Sequence, residues 1–186
     1  MLIGIVGEPN TGKTILMVRY LKMDSTRNRN IIVNMPLFGI PFTEFDIDKF
    51  LSNEYNELLH NATLGLDEIT VYMDCRAGQS KQNLLMGYLV LQSRKRGIDI
   101  YYTTQSLDLV DYNRLVKYTN IIIYANEILN ERTGEPVLDL RRYTIIDLRY
   151  GLERISDKII NITPYYDMYD TNYIIQPLIR YAKKKG

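Results

Sequence analysis

The sequence has almost nothing from which covalent or metal staples are made. Cys75 is the only cysteine and His60 the only histidine. No disulfide can form within the chain, and the ligand set of a structural zinc site is missing. A reducing, intracellular setting is the expectation. Tryptophan is absent too, although tyrosine is abundant at 16. Charge of one sign is also lacking: 23 Lys and Arg face 22 Asp and Glu, for a formal net charge of +1. A basic field over the whole molecule is excluded, so any contact with nucleic acid must come from a local patch. No apolar run is long enough to span a bilayer, and no basic-then-apolar leader precedes the first strand candidate. The chain is therefore expected to carry no membrane anchor. Without a linker-like Gly/Ser stretch or a repeat, the 186 residues read as one unit over 1–186. Its core covers about 1–150, and a C-terminal extension about 151–186.

What is present alternates short apolar runs with longer amphipathic ones, the pattern of an α/β domain around a mainly parallel sheet. Strands are expected over residues 2–6, 31–34, 63–66, 98–103 and 120–125. A strand or a pair of strands is expected over 137–149. Helical spacing predicts helices over 13–23, 46–59, 81–96 and 109–118, the second capped by Asp46 and the third stopped by Gly97. Beyond 152 an extended tail packs over the domain, and Lys183-Lys184-Lys185 reads as a solvated end.

Gly7-Glu8-Pro9-Asn10-Thr11-Gly12-Lys13-Thr14 is a complete Walker A loop between a strand and a helix. Its glycines let the backbone curl so that successive N–H groups face phosphate oxygens, and the helix N-terminus adds to that field. Lys13 would bridge the β- and γ-phosphates of ATP, and the Thr14 hydroxyl would ligate Mg²⁺. The nucleotide-binding set closes at Thr14. A second threonine directly after it, at position 15, would extend the set, but Ile15 stands there and adds no ligand.

Such a loop needs a carboxylate from a neighbouring strand, and Leu66-Asp67-Glu68 supplies one at a strand's carboxyl end. Asp67 would act on the metal, and Glu68 would orient and deprotonate the attacking water. Tyr72-Met73-Asp74 is a rival after a shorter apolar run. Gln105 ends another strand and is expected at the same edge, where its amide would sense the γ-phosphate. The cations Arg94-Lys95-Arg96 close the third helix, either satisfying its dipole or meeting DNA phosphates or the neighbouring subunit's nucleotide. His60 reads as a surface residue and Cys75 as a buried or partly buried thiol. Arg141-Arg142 reads as an exposed loop.

With these blocks in order, the chain resembles the FtsK–HerA superfamily of DNA-pumping ATPases. The likeness extends to the genome-packaging ATPases of archaeal turreted icosahedral viruses. The matched residues are Gly7 to Thr14, Leu66-Asp67-Glu68, Asp74-Cys75-Arg76 with Ser80 and Asn83, Leu91 to Arg96, and Tyr102-Thr103-Thr104-Gln105, with Tyr169-Asp170-Thr171 further on. The resemblance implies a RecA-like sheet of the additional-strand type, with the Gln105 strand between the Walker A and Walker B strands. It implies a homo-oligomeric ring, a hexamer, with double-stranded DNA in its channel and a capsid or portal-vertex partner. An arginine would reach the neighbouring subunit's γ-phosphate in trans, with Arg76, Arg94 and Arg96 as candidates. The implied setting is the host cytoplasm during virus assembly, or the virion.

Other readings compete. The region 92–105 is also similar to zonula-occludens-toxin-like proteins that extrude filamentous phage. A small P-loop kinase would need an arginine-bearing lid, and none is evident. No guanine-reading Asn/Thr-Lys-x-Asp motif occurs, which disfavours a GTPase. A nucleotide-gated assembly subunit without turnover is the non-enzymatic reading.

Overall fold

The computed structural model describes residues 1–47, 49, 57–151 and 153–173. Strands β1 (Leu2–Val6) and β4 (Ala62–Leu66) are apolar nearly throughout, and with β5 (Asp99–Thr104) they are buried on both faces, as inner parallel strands must be. With β2 (Asn30–Val33), β3 (Thr43–Glu44), β6 (Ile121–Leu129), β7 (Pro136–Asp147) and β8 (Arg154–Asn161) they form one sheet. Its order is β3-β2-β4-β5-β1-β6-β7-β8. The pairings from β3 to β6 are parallel, and β7 and β8 close the sheet antiparallel. This is the expected mainly parallel sheet flanked by helices, with β5 inserted between the strand before the phosphate loop and the strand before Asp67.

Helix α1 (Lys13–Ser25) lays Leu16, Met17, Val18 and Leu21 on one face of the sheet, against Ile3, Ile5, Val33, Tyr101 and Ile123. Helix α2 (Lys81–Ser93) lays Met86, Leu89 and Val90 on the other, against Leu2, Leu64, Leu66, Ile100 and Tyr102. The alternation of side chains along each strand feeds both layers at once.

The structure departs from expectation in several elements. The third helix stops at Ser93 rather than 96. The N–H groups of Lys95 and Arg96 both donate to Gln92 O, and Gly97 adopts φ 67° to turn the chain into β5. The helix expected over 109–118 is instead two short 3-10 turns, Leu107–Leu109 and Val116–Tyr118. Between them Val110 is extended and bridges Asp74, and the Asp111 carboxylate accepts from the Arg114 N–H and guanidinium. These local bonds satisfy the backbone without an α-helical ladder. The strand or strands expected over 137–149 are a single strand, β7, which ends at Asp147. The tail beyond 152 adds β8 and a 3-10 segment, Thr163–Met168, that packs against α1. The helix expected over 46–59 falls largely outside the described residues, as does the lysine-rich end. Within its described part, Asp46 does accept the Lys49 N–H, at 3.4 Å.

Candidate nucleotide site

The phosphate loop emerges from β1 and ends at Gly12, whose φ of 90° is a left-handed geometry suited to glycine. Above it, Tyr143 of β7 donates its hydroxyl to Gly12 O at 3.0 Å. Thr11 is buried, while Glu8, Pro9 and Asn10 are exposed. The Lys13 ammonium folds back on Glu8 O at 2.8 Å, and its burial lowers its pKa against the opposing pull of Glu68, Asp67 and Glu8. Position 15 brings no hydroxyl to the loop. Ile15 is buried in the first turn of α1 and presents an apolar wall to the space beside Lys13 and Thr14. A second threonine ligand at position 15 is thereby excluded, and Thr14 is the loop's last polar side chain.

Asp67 leaves the carboxyl end of β4 directly beneath that loop. Its Oδ1 accepts from the Thr14 hydroxyl at 2.9 Å and from the Thr103 hydroxyl at 2.8 Å. Its backbone is clamped from β2, where the Asn34 amide donates to Asp67 O and accepts from Asp67 N, both at 2.8 Å. Glu68 follows with φ 47° and ψ 64°, a left-handed conformation that costs a non-glycine residue energy. The Glu68 N–H is held by Thr103 at 2.9 Å, and its carboxylate accepts from Thr70 at 3.2 Å. Burial raises the pKa of both Asp67 and Glu68, against the hydrogen bonds that favour their charged forms.

The structure thus brings Lys13, Thr14, Asp67 and Glu68 together. Asn34 escapes a reading of the sequence, where it is one more polar residue at a strand end. Thr103 stands there only inside the matched Tyr102-Thr103-Thr104-Gln105 block, with no role of its own. Gln105 reaches the same edge but lines a different cleft, with Glu8, Thr11, Ser106, Tyr124 and Asn126. Asp74, the rival acid, is held by Arg76 at 2.7 Å and pushed down to about 2.

The three candidate arginines lie apart. Arg76 is exposed on the loop between β4 and α2, at the carboxyl edge of the sheet. It borders a cleft of about 640 Å³ with Gln79, Leu107 and Arg114. Arg94 and Arg96 follow α2 just before β5 begins, at the edge opposite the phosphate loop. Cys75 is exposed rather than buried, and His60 is exposed as expected. Arg141 is no exposed loop residue: it sits in β7, 7% exposed, with Nη2 3.5 Å from Asn10 O. A long β-strand hides which of two adjacent arginines faces inward, and only Arg142 faces out.

A cavity of about 320 Å³ opens beside the loop between Asn10, Gly12, Lys13, Thr14, Asp67 and Arg141. Tyr166, Tyr169, Asp170 and Tyr173 of the C-terminal segment line its other side. That segment is tied down by the Phe38 N–H, which donates to Met168 O at 2.8 Å, and by the Tyr166 hydroxyl, which donates to Leu138 O at 2.7 Å. The residues fit a magnesium nucleotide. Mg²⁺ takes a hydroxyl and a carboxylate and completes its shell with phosphate oxygens and water, which is what Thr14 and Asp67 offer. Among the described residues no group of three or more His, Cys, Asp or Glu could hold a metal without such help.

Phosphate loop, opposed acidic strand and inserted β5 define a RecA-like P-loop NTPase fold of the additional-strand type. Solved structures share it. The N-terminal domain of zonular occludens toxin from Neisseria meningitidis superposes with a TM-score of 0.65 at 20% identity, over 91% of this chain and 98% of that one. The genome packaging NTPase B204 from Sulfolobus turreted icosahedral virus 2, in complex with ATP-gammaS, gives a TM-score of 0.60 at 12% identity, over 86% and 98%. A KaiC-like protein from Pyrococcus horikoshii OT3 gives a TM-score of 0.60 at 17% identity, over 91% and 89%. No family model and no curated relative matches the sequence.

Proposed function

We propose that this protein hydrolyses ATP with Mg²⁺ and uses the energy, as a homo-oligomer, to translocate double-stranded DNA in viral genome packaging. The observation that carries the hydrolytic part is the Thr14–Asp67 contact beneath the phosphate loop, with Lys13 and Glu68 on either side. Backbone N–H groups from Asn10 to Lys13 would cradle the phosphates, and Lys13 would leave Glu8 O to neutralise the β- and γ-oxygens. Thr14 and Asp67 would hold the metal, which when bound draws charge from the phosphate oxygens. Glu68, held rigidly by Thr103 and Thr70, would orient water and take its proton. Gln105 would report on the γ-phosphate from the adjoining cleft. Of the three arginines proposed to act in trans, Arg76 is the one on the loop edge.

The motor part is supported by the motif order, by likeness to a packaging NTPase and by exposed Arg94 and Lys95 at the far edge. The higher TM-score and identity of the zonular occludens toxin domain favour a second reading, an assembly ATPase of that type. Among the described residues no helix is long and apolar enough to cross a membrane.

The test is steady-state ATPase measured across protein concentration, with and without double-stranded DNA. Expected are turnover that rises with assembly and DNA, and a loss on the order of 10²–10³-fold in Lys13→Ala. Transfer of phosphate to a small acceptor without response to DNA would count against the motor. Wild-type turnover by Lys13→Ala would remove the site.

A further inference from the structure

Among the described residues, Arg141 is a buried cation without an anionic partner. Its Nη1 donates to three backbone carbonyls of its own hairpin, Val137 O and Leu138 O at 3.0 Å and Leu140 O at 2.8 Å. Its Nη2 has only the long 3.5 Å contact to Asn10 O, and its buried Nε has no partner. No carboxylate among the described residues forms an ion pair with it, whereas each ion pair found there uses another cation. Carbonyl dipoles compensate a buried charge only in part, so a guanidinium held this way is costly until an anion arrives. Lys13, by contrast, already feels Glu68, Asp67 and Glu8.

The position says which anion. The aliphatic stem of Arg141 lies over Gly12, so that a Cβ there would come within 3.0 Å of Arg141 Cγ. The side chain also lines the cavity shared with Asn10, Lys13, Thr14 and Asp67. Asn10 to Gly12 form the middle of a loop whose N–H groups surround the β-phosphate of a bound nucleotide.

We propose that Arg141 is a phosphate-binding residue acting in cis, a second fixed cation that reads the nucleotide's phosphates beyond the α-position from β7. This rests on the reading of the loop as a nucleoside triphosphate site. Arg141 then differs in kind from Arg76, Arg94 and Arg96. It would complete the site of its own subunit, and nucleotide loading would offset the cost of burying it. The same contact would tie the β7–β8 hairpin to the phosphate state.

The test is equilibrium binding of a non-hydrolysable ATP analogue, ADP and AMP to the full chain, as wild type, Arg141→Met, Arg141→Lys, Arg142→Met and Lys13→Ala. The readout is the ratio of affinities between analogue and AMP. It is internal to each variant and so insensitive to a uniform loss of folded protein. Arg141→Met should weaken the analogue and ADP by about 10- to 100-fold and AMP by less than about threefold. Arg141→Lys should fall between, because it keeps charge but not the fork. Arg142→Met, the same change on the outward face of β7, should keep the wild-type ratio. An Arg141→Met ratio equal to wild type, or equal losses for analogue and AMP, would assign Arg141 to scaffolding and overturn the proposal. If wild type binds the analogue and Lys13→Ala does not, that failure is confined to Arg141. Wild type that binds none of the three would overturn the nucleotide reading and this proposal together.

Discussion

Burial outweighs hydrogen bonding at both acids of the site, and this sets their response to pH. The folded-state pKa of Asp67 is raised mainly by desolvation, as is that of Glu68. The folded state therefore holds protons that the unfolded chain has released. Stability of the nucleotide-free protein falls as pH rises from the ordinary carboxylate range through the raised values, and is flat above them. Asp67→Asn keeps an acceptor for Thr14 and Thr103 but removes the charge. It should stabilise the nucleotide-free chain at pH 8 by on the order of 1 kcal/mol, by less at pH 5, and abolish hydrolysis. Thermal melts at the two pH values decide this, and a lower melting temperature at pH 8 would refute it. Thr70→Ala removes a hydrogen bond that favours charged Glu68. The acid limb of kcat/KM should move to higher pH, with the plateau rate nearly unchanged. An unmoved limb would show that Glu68 is not the titrating base.

At the scale of elements, the inserted strand β5 does more than widen the sheet. Its last two residues, Thr103 and Thr104, are buried, and Thr103 couples Asp67 to the Glu68 backbone. The glycine in β4 changes meaning once α1 is in place. From sequence Gly65 only weakens a strand. In the structure a Cβ there would sit 2.7 Å from Leu21 and 3.0 Å from Val33. Gly65→Ala should therefore destabilise the fold by about 1–3 kcal/mol through overpacking beneath α1, measurable by urea unfolding. A neutral outcome would mean that α1 can slide on the sheet.

At the scale of the whole molecule, near-neutral charge makes the proposed DNA binding a matter of where cations lie. Arg94 and Lys95 are exposed at the edge opposite the phosphate loop, where they would face DNA without competing for nucleotide. Replacing Lys95 with alanine should reduce the salt slope of DNA binding by about 0.9 for each phosphate no longer neutralised, and leave DNA-free ATPase intact. A fall in the DNA-free rate would instead tie that edge to the catalytic site.

Local sequence pattern is enough to specify the sheet's inner strands, α1, the phosphate loop with its end at Thr14 and Ile15, and the adjacency of Asp67 and Glu68 at a strand end. Those features are local: an apolar run, a helical spacing, glycines and a hydroxyl at set intervals. It could not reveal that 109–118 gives up its helix to bonds from Asp111 and Val110, because its spacing suits a helix equally well. Nor could it separate Arg141 from Arg142, or single out Thr103 and Asn34. Each of those depends on partners brought from more than 30 residues away, at 131, 36 and 33 residues' separation. Only tertiary structure decides which side of a strand faces the loop and which strands lie side by side. It also decides which cation is left buried without an anion.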